Sequence, residues 1–249
     1  SSNEIGSILL LDGTPIRLIQ RIPSEVYCDI NCKDEIAELQ YELFIDSINR
    51  DCTTTINRGK SKIDKPYDLV ISTPELRPAP EIEADINNVQ IKKLTHLLSA
   101  KDNIKRAVVL VDQEFCSSYQ TQMYDMREEL YVGGYISKVC HLANGTFRDI
   151  NSPCSLVVLD FVNINKTVTF KLGESVKIVD YESLQQLDLC LNYHLYDQDI
   201  QLDKDQESVY LKNIIAKLIY NSKAPITEII ELKYKPVIPC VTNIDNKEE

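Results

Sequence analysis

The sequence predicts an α/β fold: a doubly wound, mostly parallel sheet with helices on both faces. Three observations predict it. Short β-branched runs recur with helical stretches between them. Several of these runs end in an acid. Ala107-Val108-Val109-Leu110-Val111 is apolar at every position, as a strand buried on both faces must be.

Taken in order, Ile8-Leu9-Leu10-Leu11-Asp12 reads as a buried strand ending in an acid, and Glu25-Val26-Tyr27-Cys28-Asp29 as a second. Between them, 15–22 has room only for a short helix. Residues 33–48 read as an amphipathic helix, with Ile36, Leu39, Leu43 and Phe44 near one face and Asp34 and Glu35 in the first turn. Asp68-Leu69-Val70-Ile71-Ser72 is the next strand, followed by a proline-rich loop through Pro74, Pro78 and Pro80. Ile91, Leu94, Leu97 and Leu98 mark a helix before the strand at 107–112, and Met123, Met126 and Leu130 mark another over 118–131. Strands at 135–142 and 155–161 are joined by a loop containing Asn144-Gly145, and shorter strands are expected at 167–170 and 176–179. Strands joined without a helix point to a mixed sheet with an antiparallel edge.

After about Asp180 the strand rhythm stops. Residues 181–196 and 208–220 read as helices, the second with Leu211, Ile214, Ile215, Leu218 and Ile219 as an apolar stripe. The expected organisation is one domain over 1–180 and a helical C-terminal extension and tail over 181–249.

Composition bounds the function. In 249 residues, 43% hydrophobic and 26% charged content are ordinary for a globular chain. No apolar run reaches the roughly 20 residues of a membrane span, and Ser1-Ser2-Asn3-Glu4 does not begin a secretory leader, so a cytoplasmic protein is expected. The eight cysteines form no CxxC pair and the three histidines are scattered, which disfavours a metal centre. Cys28 and Cys32 could share a site, but read more simply as buried free thiols. A net charge of −11 disfavours general binding to phosphate backbones. The densest basic stretch, Arg58 to Lys62, reads as a solvated loop. Contact with DNA would need a local patch or a basic partner.

The strand ends carry the chemistry. Leu9–Leu11 lead into Asp12-Gly13-Thr14-Pro15, and the second strand gives Tyr27-Cys28-Asp29-Ile30-Asn31. Gly59-Lys60 follows, and Asp68–Ser72 leads into Thr73-Pro74-Glu75-Leu76. Later come Arg106-Ala107-Val108-Val109-Leu110-Val111, the stretch Leu130 to Phe147 with Gly145, and Pro153-Cys154-Ser155-Leu156-Val157-Val158-Leu159. In this order, from about Ile8 to Phe170, the chain resembles the modification subunits of type I restriction systems and related adenine-specific DNA methylases.

The resemblance implies a Rossmann-like class I S-adenosylmethionine-dependent methyltransferase fold, a mixed and mostly parallel sheet with helices on both faces. It implies S-adenosylmethionine as cofactor without a metal, and DNA as partner, reached through a specificity subunit in a complex. Asp12 and Gly13 would then belong to the turn that cradles the cofactor, and Asp29 would grip its ribose hydroxyls. Lys60 would stand where the family has an acid near the adenine. Residues 73–76 would occupy the Asn/Asp-Pro-Pro-aromatic catalytic motif, of which only Pro74 is kept.

Each position has a plainer reading. Strand-end acids are common turn formers, Thr73-Pro74 alone is a turn, and Glu75 is by default an exposed loop carboxylate. The departures also matter chemically. A turn that admits a ligand against backbone needs glycines, and one remains. Thr73 cannot reach the target amine as an amide does, and Leu76 offers no π face, where stacking is worth roughly 1–3 kcal/mol per base. The sequence therefore reads as an adenine-specific DNA methyltransferase-like protein of a restriction-modification system, weak or inactive, with cofactor binding weak or lost. The alternative is a non-catalytic assembly or recognition module in a restriction-type complex.

Overall fold

The computed structural model describes residues 5–11, 16–48, 53–59, 63–73, 86–142, 153–193 and 196, with backbone alone at 16, 17 and 86–88. All belong to the first of two units into which the chain divides, Ser1–Gln198. The stripe from Leu211 to Ile219 lies outside the described residues, as do Asp12, Gly13, Lys60, Pro74, Glu75, Leu76, Gly145 and Phe147.

The described strands are β1 (Ser7–Leu10), β2 (Tyr27–Cys32), β3 (Thr54–Arg58), β4 (Tyr67–Ser72), β5 (Ile104–Asp112), β6 (Ile136–His141), β7 (Cys154–Asp160), β8 (Thr167–Leu172) and β9 (Ser175–Asp180). They form one sheet in the order β3-β2-β1-β4-β5-β7-β6-β8-β9. The first five are mutually parallel, and β7 runs antiparallel between β5 and β6. The antiparallel strand predicted for an edge therefore lies inside the sheet, and β9 supplies a second at the edge. The β6–β7 hairpin turns back into the gap beside β5, where the apolar run Ala107–Val111 finds in β7 its neighbour on that side.

The helices are α1 (Glu35–Ser47), α2 (Ile86–Ser99), α3 (Gln113–Ser117), α4 (Thr121–Val132) and α5 (Tyr181–Gln186), with 3-10 turns at Ile16–Arg21 and Lys101–Asn103. The path moves one way along the sheet from β1 to β3 and the other way from β4 to β5. Right-handed crossovers then place α1 and α2 on opposite faces. On the α1 face, Ile8 and Leu10 of β1 and Cys28, Ile30 and Cys32 of β2 pack with Ile19, Ile22 and Tyr41. On the other, Leu94 and Leu97 of α2 and Met123 and Leu130 of α4 are fully buried.

Further details differ from the sequence reading. Strand β3 was not anticipated, although Thr53-Thr54-Thr55-Ile56 is a β-branched run. Strand β2, Tyr27–Cys32, begins two residues and ends three residues later than expected, because β3 supplies partners from Cys28 through Cys32. The buried face of α1 carries Tyr41, with Ala37, Phe44, Ile45 and Ile48 packed on the core, while Ile36, Leu39 and Leu43 are exposed. The helix expected over 181–196 ends at Gln186, where Asp188 and Leu189 adopt positive φ of 51° and 56° and redirect the chain.

Candidate functional site

In an open parallel sheet, ligands sit beyond the carboxyl ends of the strands, where the strand order reverses. Here that point lies between β1 and β4, and 12–15 follow β1 directly. The described side chains around this edge come from β2, β3, β4, β5 and the helices that leave them.

Asp29 is not at the edge. It pairs with Leu9 on one side and Thr55 on the other, three residues before β2 ends at Cys32. Its side chain is fully buried. Lys65 Nζ lies 2.6 Å from Oδ2, and the Tyr67 hydroxyl donates to the same oxygen. The other oxygen, Oδ1, has no hydrogen-bond partner. Lys65 sits 4.6 Å from the Tyr27 ring centroid and holds its proton more tightly than usual, chiefly through the bond to Asp29. Burial first, and Asp29 second, hold the Tyr67 phenol protonated. The linker between β3 and β4 is thus tied to the middle of β2.

At the true end of β2 stands Asp34. Its Oδ1 accepts from the Ala37 backbone N–H at 2.9 Å and caps α1. Arg58, ending β3, lies 3.6 Å from Glu35 and 3.3 Å from Glu38 of α1, so the start of the basic stretch faces acids. Gly59 has a φ of +67°, a conformation that suits glycine, and a β-carbon there would meet nothing within 4 Å among the described residues.

At the end of β4, Ser72 is fully buried and Thr73 partly so, and neither hydroxyl has a hydrogen-bond partner among the described residues. Asp68, the second residue of the same strand, serves the opposite edge. Its Oδ2 accepts from the backbone N–H groups of Gly6 at 2.8 Å and Ser7 at 3.0 Å, and Lys105 Nζ lies 2.6 Å from Oδ1. The bond from Lys105 holds its carboxyl below the usual range.

Sequence reasoning missed the polar groups around β5 and β6. Asp112 ends β5 and caps α3 through the Phe115 N–H at 2.8 Å. The buried Gln90 of α2 donates to its Oδ2 at 2.7 Å and accepts from its backbone N–H at 3.2 Å. Arg127 is buried and gives its two terminal nitrogens to the carbonyls of Phe115 and Ser118, each at 2.6 Å, while its Nε has no hydrogen-bond partner. Burial pulls its pKa down. These bonds satisfy carbonyl groups that the short α3 leaves open.

His141, ending β6, accepts the Tyr193 N–H at Nε2 (2.9 Å), so its proton resides on Nδ1, which meets Ser155 Oγ at 2.7 Å. Ser155 also bonds Cys116, whose thiol burial pushes up to about 12. A thiol that stays protonated is no nucleophile. Leu191 N–H donates to the Cys116 carbonyl, and Phe170 lies between the rings of His141 and Tyr196, so Leu191, Tyr193 and Tyr196 cover the carboxyl ends of β6 and β8. Only the pattern Gln90–Asp112 had a sequence signal, the acid at a strand end.

Solved structures share this architecture. The methyltransferase subunit of a type I restriction-modification system from Streptococcus thermophilus matches with a TM-score of 0.57 at 11% identity, over 76% of this chain and 54% of that one. A chain from a type I restriction-modification system, described for its complex assembly and conformational transition, matches with 0.54 at 11% identity, over 79% and 55%. This chain spans little more than half the length of either. At such identity the likeness is one of fold. No protein-family model matches the sequence, and no curated protein does. The fold is the Rossmann-like one of class I S-adenosylmethionine-dependent methyltransferases. No helix among the described residues is long and apolar enough to cross a membrane.

Proposed function

We propose that the chain is a methyltransferase-like module of a restriction-modification assembly, of the adenine-specific DNA type, with cofactor binding and methyl transfer weak or lost. One observation carries this reading. The acid that the family resemblance assigns to the ribose, Asp29, is buried inside the sheet and neutralised by Lys65, so it presents no carboxylate at the ligand edge. On that count the described residues do not fit S-adenosylmethionine. Thr73 at the end of β4 agrees, since its short hydroxyl replaces an amide or carboxylate acceptor. In this reading DNA is reached through a partner specificity subunit, in the cytoplasm.

The closed carboxyl ends of β6 and β8 favour a second reading, a non-catalytic assembly or recognition module in the same kind of complex. Transfer of a radiolabelled methyl group to mixed-sequence DNA at low salt tests both. The expected result is no labelling by the chain alone. Labelling that disappears in Thr73→Val would identify a working site and overturn the proposal.

A further inference from the structure

Helix α1 is apolar on two opposed faces. At about 100° per residue, Ala37, Tyr41, Phe44, Ile45 and Ile48 fall on one side, and these pack on the core. Ile36, Leu39 and Leu43 fall on the other and are 71%, 53% and 61% exposed. A helix on the surface of a sheet needs only one apolar face. A second, at i, i+3 and i+7, is the pattern of a helix packed between two bodies.

The borders of the exposed seam say what kind of body fits. Along one border run Glu35, Glu42 and Asp46, and along the other Gln40 and Ser47. Glu35 and Glu38 both pair with Arg58, whereas Glu42 and Asp46 are exposed and enter none of the ion pairs described. Within α1 there is no lysine or arginine. A second α1 would offer this acidic row nothing to pair with, and nucleic acid would be repelled by it.

We propose that Ile36, Leu39 and Leu43 form a docking seam for an amphipathic helix of a partner protein, one whose apolar stripe is flanked by lysine or arginine. The apolar stripe supplies affinity by excluding water, and the acidic row sets orientation and rejects acidic helices. The site lies on the face of the sheet that carries α1 and does not depend on the methyltransferase reading.

Three fluorescein-labelled synthetic helical peptides test it against the full chain by anisotropy: a leucine-seam peptide flanked by lysines, the same seam flanked by glutamates, and a scramble of the lysine peptide. The lysine-flanked seam should bind at least tenfold more tightly than the others. Leu39→Ser with Leu43→Ser should weaken it at least tenfold, and Glu42→Lys with Asp46→Lys should shift preference to the glutamate-flanked peptide. Both pairs replace exposed residues, and circular dichroism checks that each folds. Equal binding of the lysine peptide and its scramble, or binding unchanged by the serine pair, would overturn the proposal. Sedimentation supplies the other outcome: self-association of the chain that the serine pair abolishes would assign the seam to a second copy instead.

Discussion

At the scale of single residues, the molecule spends its buried charges on architecture. Asp29 is the plainest case. In sequence it sits in Tyr27-Cys28-Asp29-Ile30-Asn31 and resembles a ribose-gripping acid, but in the sheet it anchors Lys65 and Tyr67. Asp29→Asn removes the countercharge and should lower stability by about 1–3 kcal/mol, read by urea denaturation. An unchanged midpoint would show that the pair does not hold the linker. Arg127→Met leaves the carbonyls of Phe115 and Ser118 without donors and should cost about 2–4 kcal/mol by the same measure. Asp68 gives a pH signature. Its folded pKa is depressed, so its contribution is present above the unfolded value near about 3.9 and is lost as pH falls through the lower, folded one. Asp68→Asn should therefore lower Tm at pH 7, and the difference from the parent should vanish toward pH 2. A difference that persists in acid would mean the backbone bonds at Gly6 and Ser7 do not need the charge.

At the scale of elements, most of the sheet was legible because its strands bury both faces, which leaves uninterrupted apolar runs such as Ala107–Val111. What was not legible depended on neighbours. The ends of β2 were misplaced because a strand's length is set by what pairs with it, and β3 is half-polar and lies at an edge. The core face of α1 was misassigned because the helix has two apolar stripes and periodicity alone cannot say which one the sheet takes. The helix at 181–196 stops after six residues because the following residues are bonded to Cys116 and His141, a tertiary contact with no local sequence signal. That contact is testable. His141→Phe deletes the acceptor for the Tyr193 N–H, and hydrogen exchange at Leu191 and Tyr193 should accelerate at least tenfold while β5 amides are unaffected. Uniform acceleration throughout would mean the substitution unfolds the sheet instead.

At the scale of the whole molecule, the sheet shares the fold of type I methyltransferase subunits, and Asp29 lies inside it rather than at the carboxyl edge. The fold was legible in the rhythm of the strands. The place of Asp29 within its strand was not, since it is set by a register that only the pairing with β1 and β3 defines. Calorimetric titration of S-adenosylmethionine into the purified chain tests this most directly, with Asp29→Ala beside it. The account predicts no binding at micromolar concentrations for either protein. Sub-micromolar affinity that Asp29→Ala removes would contradict it.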